Sequence, residues 1–291
     1  MMIKAGFADT IVAGGVESTS LAPYLMERPK KAYDMAPMEW SIPMFSPPSF
    51  GNLTNGLTAE EIAKRFNITR EECDEFSVES HRKGAIAYEN RCFESQLMPV
   101  EVPLKGGNTL LFNRDEPLRD DCSMNMLSKL KPSFAKGGVC TAGNSSPLTD
   151  GASCAIVMER GKAESLGLDI LAVFKDFADA GCEPQIMGEG PVHAVRKLLK
   201  KTDLTLDDID LIELNEAFAS QSIHCVRELG LDSEKLNVNG GAIALGHPFA
   251  STGTILVTKM VYEMRRRKAK RGIVTFCIGG GMGVAALFEK P

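Results

Sequence analysis

From Gly151 to the C-terminus the chain alternates short apolar runs with amphipathic stretches, and this alternation limits the fold more than any other feature. SCAIVMER and LAVFKDFADAG have the length and the Val, Ile and Phe content of buried strands, and a helix is expected over about 191–200. IDLIELNEAFASQSIHCVRELG then predicts a strand over 209–214, a sharp turn at Asn215 and a helix stopped by Gly230. A further helix over 253–270 ends in MRRRKAKR, mostly a solvated cap where the dipole favours cations, with a role near an anionic ligand left open. In GIVTFCIGGGMGVAALFEK two apolar runs flank Gly279, Gly280 and Gly281, which argues a β-hairpin. A dinucleotide fingerprint would need a helix after the glycines. Strands and helices in this order predict a layered α/β sandwich.

The first half reads differently. Residues 3–7 read as the tail of a helix running into a strand over 10–14, with no element ahead of it. The Pro-, Ser- and Met-rich APMEWSIPMFSPPSFGNLTNG is a long excursion, and excursions of that length usually carry function. Thr58 with Glu61 and Thr69 with Glu72 have capping-box spacing, so helices are expected over 58–66 and 69–90.

With 291 residues, 44% of them hydrophobic, the chain can bury a sizeable core in one large or two ordinary domains. Its net charge of −5, with both signs interspersed, gives no reason to expect nucleic acid, and no apolar run is long enough to span a membrane. The eight cysteines are scattered without a C-x-x-C pair, which excludes a zinc-type cluster and fits reduced thiols in a cytosol-like compartment.

Three polar residues stand at comparable places. His247 precedes Pro248, which is favoured at a first helical position, so the imidazole is expected at or next to an N-cap and held neutral by the helix dipole. There it reads as a general base, as a donor to an oxyanion, or as a plain turn residue. Asn215 reads as a site residue or a simple N-cap, and Cys277 as a reactive or merely buried thiol. Strand ends of layered α/β folds converge on one crevice, which would bring the three together.

In order and near this spacing, ELNEAFA, GGAIALGHP-x-x-x-x-G and C-x-GGGMG resemble the three C-terminal motifs of the thiolases. That family interconverts 3-ketoacyl-CoA plus CoA with acetyl-CoA plus a shortened acyl-CoA. The resemblance also takes in VAGGVES, DEPLR, KLKPSF, TAGNSSPLTDGA and MGEGPV. It implies a layered αβαβα sandwich with a large inserted loop domain. Residues 1–20 and 145–165 would belong to the N-terminal half, 21–144 to the CoA-binding loop domain, and 166–291 to the C-terminal half.

The resemblance also implies roles. Cys277 would be the acid/base, a thiol suited to it if small pKa shifts give both forms near neutrality. His247 would activate the nucleophile and donate to the thioester oxygen, with Asn215 holding a water of that oxyanion site. The Gly279 N–H would serve a second oxyanion site. For CoA, the family pattern points to Arg119 near the nucleotide, Phe134 beside it, and Ala142, Gly143 and Ser146 along the pantetheine; from its surroundings alone, Arg119 reads equally as a surface ion-pair partner. No permanent cofactor is implied, the substrates are CoA thioesters, and the assembly would be a homodimer or homotetramer.

The match has gaps. The family's nucleophilic cysteine sits on a Cys-x-Ser-Gly loop ahead of VAGG, and no cysteine here has that context. The expectation is a truncated N-terminal half that lacks the segment carrying that loop and a chain inactive in acyl transfer, or else a nucleophile-free acyl-CoA-binding or assembly subunit. A ketoacyl-synthase-type condensing enzyme fits less well, since those enzymes do not need the C-x-GGG acid/base. Ala250 and Thr252 replace a smaller glycine and serine, Asn55 a methionine, and Glu189 a neutral residue.

Overall fold

The computed structural model describes residues 1–26, 31, 40, 41, 46–51 and 53–291. The first elements are β1 (Thr10–Glu17), the two-residue strands β2 (Leu25–Met26) and β3 (Trp40–Ser41), α1 (Asn55–Arg65) and α2 (Arg70–Glu89). Then come β4 (Val100–Pro103), β5 (Thr109–Phe112), α3 (Met124–Leu127), β6 (Gly151–Met158) and α4 (Arg160–Ser165). The C-terminal half holds β7 (Val173–Gly181), α5 (Gly190–Thr202), β8 (Leu211–Leu214), α6 (Ala219–Leu229), α7 (Ala242–Leu245), α8 (Thr252–Arg267), β9 (Arg271–Ile278) and β10 (Met282–Glu289).

The central sheet runs β7-β10-β9-β8, with β8 parallel to β9 and the other pairs antiparallel. The side chains of β9 alternate between its two faces, as a strand must. Ile273 joins Val192, Val195 and Leu198 of α5, while Val274 joins Leu256, Met260 and Met264 of α8. Beyond α8, β1 and β6 form a separate antiparallel pair, so the layers run α5, sheet, α8, sheet. The predicted hairpin is β9–β10, with Cys277 paired opposite Gly283. Its glycines answer two demands: Gly280 and Gly281 take φ of +92° and +88°, and Gly283 lets the backbone of Gly190 approach.

Several local expectations shift. Residues 1–7 make hydrogen-bonded turns (Ala5 N–H to Met1 O, 2.9 Å) but no helix, and β1 runs three residues further than expected. The Thr69 capping box forms with Glu72 and opens α2. The Thr58 box does not. α1 begins earlier, at Asn55, and the Thr58 hydroxyl donates to Asn55 O at 2.7 Å from inside the helix. The basic end of α8 is taken up by ion pairs of Arg265 with Asp169 and of Arg266 and Arg267 with Glu263. Among the described residues no helix is long and apolar enough to cross a membrane, and no His, Cys, Asp and Glu cluster could hold a metal ion.

Candidate active site

Asn215 follows directly on β8. Its backbone N–H donates to Thr275 O at 3.0 Å, two residues before Cys277 on β9, which fixes the Asn215 turn against the end of that strand. The helix after it starts only at Ala219, so Asn215 is no N-cap. Its Nδ2 lies 3.2 Å from His247 Nε2 and donates there, while its buried Oδ1 has no partner among the described residues.

His247 stands farther from a helix start than its sequence predicts. Pro248 opens a turn, with Ser251 and Thr252 N–H both donating to its carbonyl at 2.9 Å, and α8 begins at Thr252. The ring is neutral as expected, but burial is the cause: it pushes the pKa down to about 4. The Thr252 hydroxyl donates to Pro248 O at 2.9 Å and accepts from His247 Nδ1 at 2.7 Å. The ring therefore carries its proton on Nδ1 and offers Nε2 as a base.

Cys277 sits near the end of β9, partly buried, and burial pushes its thiol up to about 11. The expectation of both forms near neutrality is corrected: at rest this group is a thiol. Gly279 is exposed at the start of the hairpin loop.

Beneath these residues lies a buried polar network that the motifs did not reveal. Glu216 accepts from Ser80 Oγ (2.6 Å), Asn237 Nδ2 (2.8 Å) and Ile243 N–H (3.3 Å). It thus ties the Asn215 turn to α2 and to the segment leading to His247. A Cβ at Gly241 would overlap the Glu216 carboxylate, which explains one glycine of the GGA run. Lys259 pairs with Glu213 at 2.8 Å and donates to Gly240 O at 2.6 Å, all under the same segment. Thr149 Oγ1 accepts the His247 N–H at 3.1 Å, joining TAGNSSPLTD to the histidine. Only burial distinguishes these residues, and burial is not written in local sequence.

A cavity of about 450 Å³ lies beside this network, lined by Arg119, Ala142, Gly143, His81, Ser145 and Leu130 among others. Three of the five residues expected to bind CoA are thus brought together. The Arg119 guanidinium makes no ion pair among the described residues, since Arg114 takes Asp120. Gly143 stands close to two leucine side-chain tips, since a Cβ would lie 2.6 Å from the terminal methyls of Leu127 and Leu130. Phe134 and Ser146 do not line the cavity. Phe134 packs edge-on against Phe218 with centroids 5.7 Å apart and covers Gly56, and the Ser146 hydroxyl donates to Ala217 O at 3.0 Å.

Family profiles match nearly the whole chain: the thiolase N-terminal domain over residues 1–161 and the thiolase C-terminal domain over 168–290. The chain belongs to the thiolase family. It is 44% identical to the acetyl-CoA acetyltransferase of Chromobacterium violaceum over 292 residues, covering 99% of this chain and 74% of that protein. It is 44% identical to the 3-ketoacyl-CoA thiolase of Bacillus subtilis over 299 residues, covering 99% and 73%. Human mitochondrial 3-ketoacyl-CoA thiolase, solved in complex with CoA, superposes with a TM-score of 0.90 at 35% identity, covering 100% of this chain and 73% of that one. The α/β thiolase fold and membership of an acyltransferase family follow from these matches.

Two of the positions expected to differ from the family pattern make specific contacts. Thr252, in place of serine, is the residue that fixes the His247 tautomer. Glu189 lies 3.6 Å from His224 Nε2 and 3.8 Å from His193 Nε2, so its carboxylate faces two imidazoles.

Proposed function

We propose that this chain carries the acid/base and CoA-binding machinery of an acyl-CoA:acetyl-CoA C-acyltransferase, with 3-ketoacyl-CoA, acetyl-CoA and CoA as substrates. The observation that carries the reading is the Asn215–His247 contact at 3.2 Å, anchored by a backbone bond to the strand that bears Cys277. In the cleavage direction a thiolate attacks the 3-keto carbon, His247 Nε2 having taken that thiol's proton. The resulting imidazolium donates from Nε2 to the carbonyl oxygen, the Gly279 N–H serves the second oxyanion, and Asn215 keeps the ring in place. As the C2–C3 bond breaks, the Cys277 thiol gives its proton to the acetyl-CoA enolate. The thiolate left behind then takes the proton of CoA, whose sulfur receives the acyl group. A thiol at rest suits the first of these steps. Arg119, Ala142 and Gly143 hold the CoA handle.

The nucleophile is the part these residues do not supply. None of the other seven cysteines stands in a Cys-x-Ser-Gly context. Burial raises the thiols of Cys73, Cys140 and Cys225, the reverse of an activated nucleophile. These 291 residues alone therefore bind the thioester without completing acyl transfer. We place them in a cytosol-like compartment on the strength of eight free thiols, and in a homodimer or homotetramer.

Acetoacetyl-CoA cleavage with added CoA, read as loss of enolate absorbance alongside calorimetric binding of CoA, tests the reading. Binding without turnover is expected. Turnover by the 291 residues would mean that another cysteine is the nucleophile, and no binding would remove the CoA assignment.

A further inference from the structure

Two of the chain's four histidines converge on a carboxylate that belongs to neither the acid/base nor the CoA-binding groups. Glu189 ends the turn segment Pro184–Glu189 and stands at the N-cap of α5, where its side chain makes no capping bond. Its Oε1 lies 3.6 Å from His224 Nε2 on α6, and its Oε2 lies 3.8 Å from His193 Nε2, one turn along α5. Neither distance is a hydrogen bond. His224 is 2% exposed, its ring stacks on Phe66 with centroids 3.8 Å apart, and its Nε2 is buried without a partner among the described residues. A proton on that ring would turn the gap into a charge-assisted bond of about 2.8 Å.

The segment bearing Glu189 backs the hairpin of Cys277. Cys182 N–H donates to Gly281 O at 2.8 Å, and a Cβ at Gly281 would overlap Cys182 O and Pro184 N. Gly190 lies directly against the backbone of Met282 and Gly283, and Gly283 is the residue paired with Cys277. The Cys225 thiol donates to Gly188 O at 3.3 Å, which ties the same segment to α6.

Resting on the reading of Cys277 as the acid/base, we propose that Glu189 and His224 form a proton-operated latch that positions Cys277. With His224 neutral the pair stands open and the hairpin is placed as described. With His224 protonated the pair closes by roughly 0.8 Å. In an interior packed this closely the displacement passes through Gly190 to the hairpin, and misplacing a reacting group slows its chemistry. Burial holds the His224 pKa below its usual 6.5 against the pull of Glu189 and Glu228, so acid operates the latch and neutral solution leaves it open. The other groups around the ring do not replace Glu189. Arg196 of α5 opposes protonation and is itself paired with Glu228 at 3.1 Å. α1 presents the Phe66 ring, and His193 is 40% exposed, where water and salt screen it.

Two measurements on the wild-type chain, Glu189→Gln, His224→Gln and His193→Gln decide the matter. NMR of the histidine rings follows the titration of His224 between about pH 5 and 8. NMR in D2O follows deuterium exchange into the methyl group of bound acetyl-CoA over the same range. The Cys277 thiol alone makes exchange fall about tenfold per pH unit; across the His224 titration the wild type is expected to fall about threefold further. Glu189→Gln is expected to move the His224 midpoint to lower pH and to abolish the extra fall. His224→Gln abolishes it as well, and His193→Gln keeps it. Glu189 is partly exposed, so Glu189→Gln carries the test if the buried His224→Gln does not fold. A single slope in the wild type, or an extra fall that survives in Glu189→Gln, overturns the latch. So does a Glu189→Gln rate lowered by one factor at every pH, which marks a packing role alone, and so does loss of the extra fall in His193→Gln. No exchange in the wild type at any pH removes Cys277 as the base and the latch with it, a result distinct from a single slope with normal exchange.

Discussion

β8 is buried along its whole length and β9 over its central residues, whereas β1 and β6 leave Val12 71%, Val16 73% and Ile156 68% exposed. Both regions are built from similar Val-, Ile- and Ala-rich strands. The register puts Val12 opposite Ile156, Gly14 opposite Cys154 and Val16 opposite Ala152, so these residues form one outward face. The inward face is closely backed: Ser153 Oγ bonds Ser251, and Gly15 lies against the Ala250 backbone. What separates the two sheets is coverage. The central sheet has α5 on one face and α8 on the other, while among the described residues β1–β6 has α8 on one face only. A strand's apolar pattern shows that it can be buried; the partner layer decides whether it is.

The comparison breaks most sharply at the chemistry of the covered sheet. Cys277→Ala should reduce deuterium exchange into the methyl group of bound acetyl-CoA, read by NMR in D2O, by about 100-fold or more. In the parent chain that exchange should rise about tenfold per pH unit through neutrality, because the thiolate fraction is limited by a pKa near 11. A pH-independent rate would remove Cys277 as the base.

The next largest effect lies in the buried ion pair under the site. Glu213→Ala leaves Lys259 charged and unpaired, and urea unfolding should show a loss of about 3–5 kcal/mol. Glu213→Leu with Lys259→Met should recover most of it, and no recovery would show that the pair's hydrogen bond to Gly240 O is what matters.

Acid acts on the same region. His81 and His247 have folded pKa values near 4, below the usual value of 6.5, so the folded state binds fewer protons than the unfolded chain between those limits. Stability should be fully present above pH 6.5 and fall as the pH drops toward 4. Replacing His247 by Gln should flatten that fall, measured by thermal melts at each pH.

The smallest effect is expected on the open face. Val12→Thr should change stability by no more than about 0.5 kcal/mol in the isolated chain. A loss several times larger, together with a change in sedimentation, would mean that the β1–β6 face is covered in solution. The difference between the sheets would then belong to the monomer alone.

The sequence was most legible where period and punctuation coincide. β7, α5 and the β9–β10 hairpin lie close to where their patterns put them, because a covered α/β layer forces apolar alternation and Gly or Pro boundaries on the chain. The Thr69 box formed and the Thr58 box did not. The two have the same spacing, but the helix at Asn55 had already begun one turn earlier. Spacing identifies a possible cap, and only the preceding backbone decides its use.

By itself, then, the sequence determined the element order of the C-terminal half, the absence of a zinc-type cysteine pattern, and which side chains have the chemistry of Asn215, His247 and Cys277. Tertiary structure decided the rest. The neutrality of His247 comes from burial rather than from a helix end, its tautomer from Thr252 and Asn215, and the protonated state of Cys277 from the layers around it. The reason is that hydrogen-bond partners and desolvation are properties of atoms brought together from distant parts of the chain: His81 and Arg119 are 38 residues apart, and Asn215 and His247 are 32.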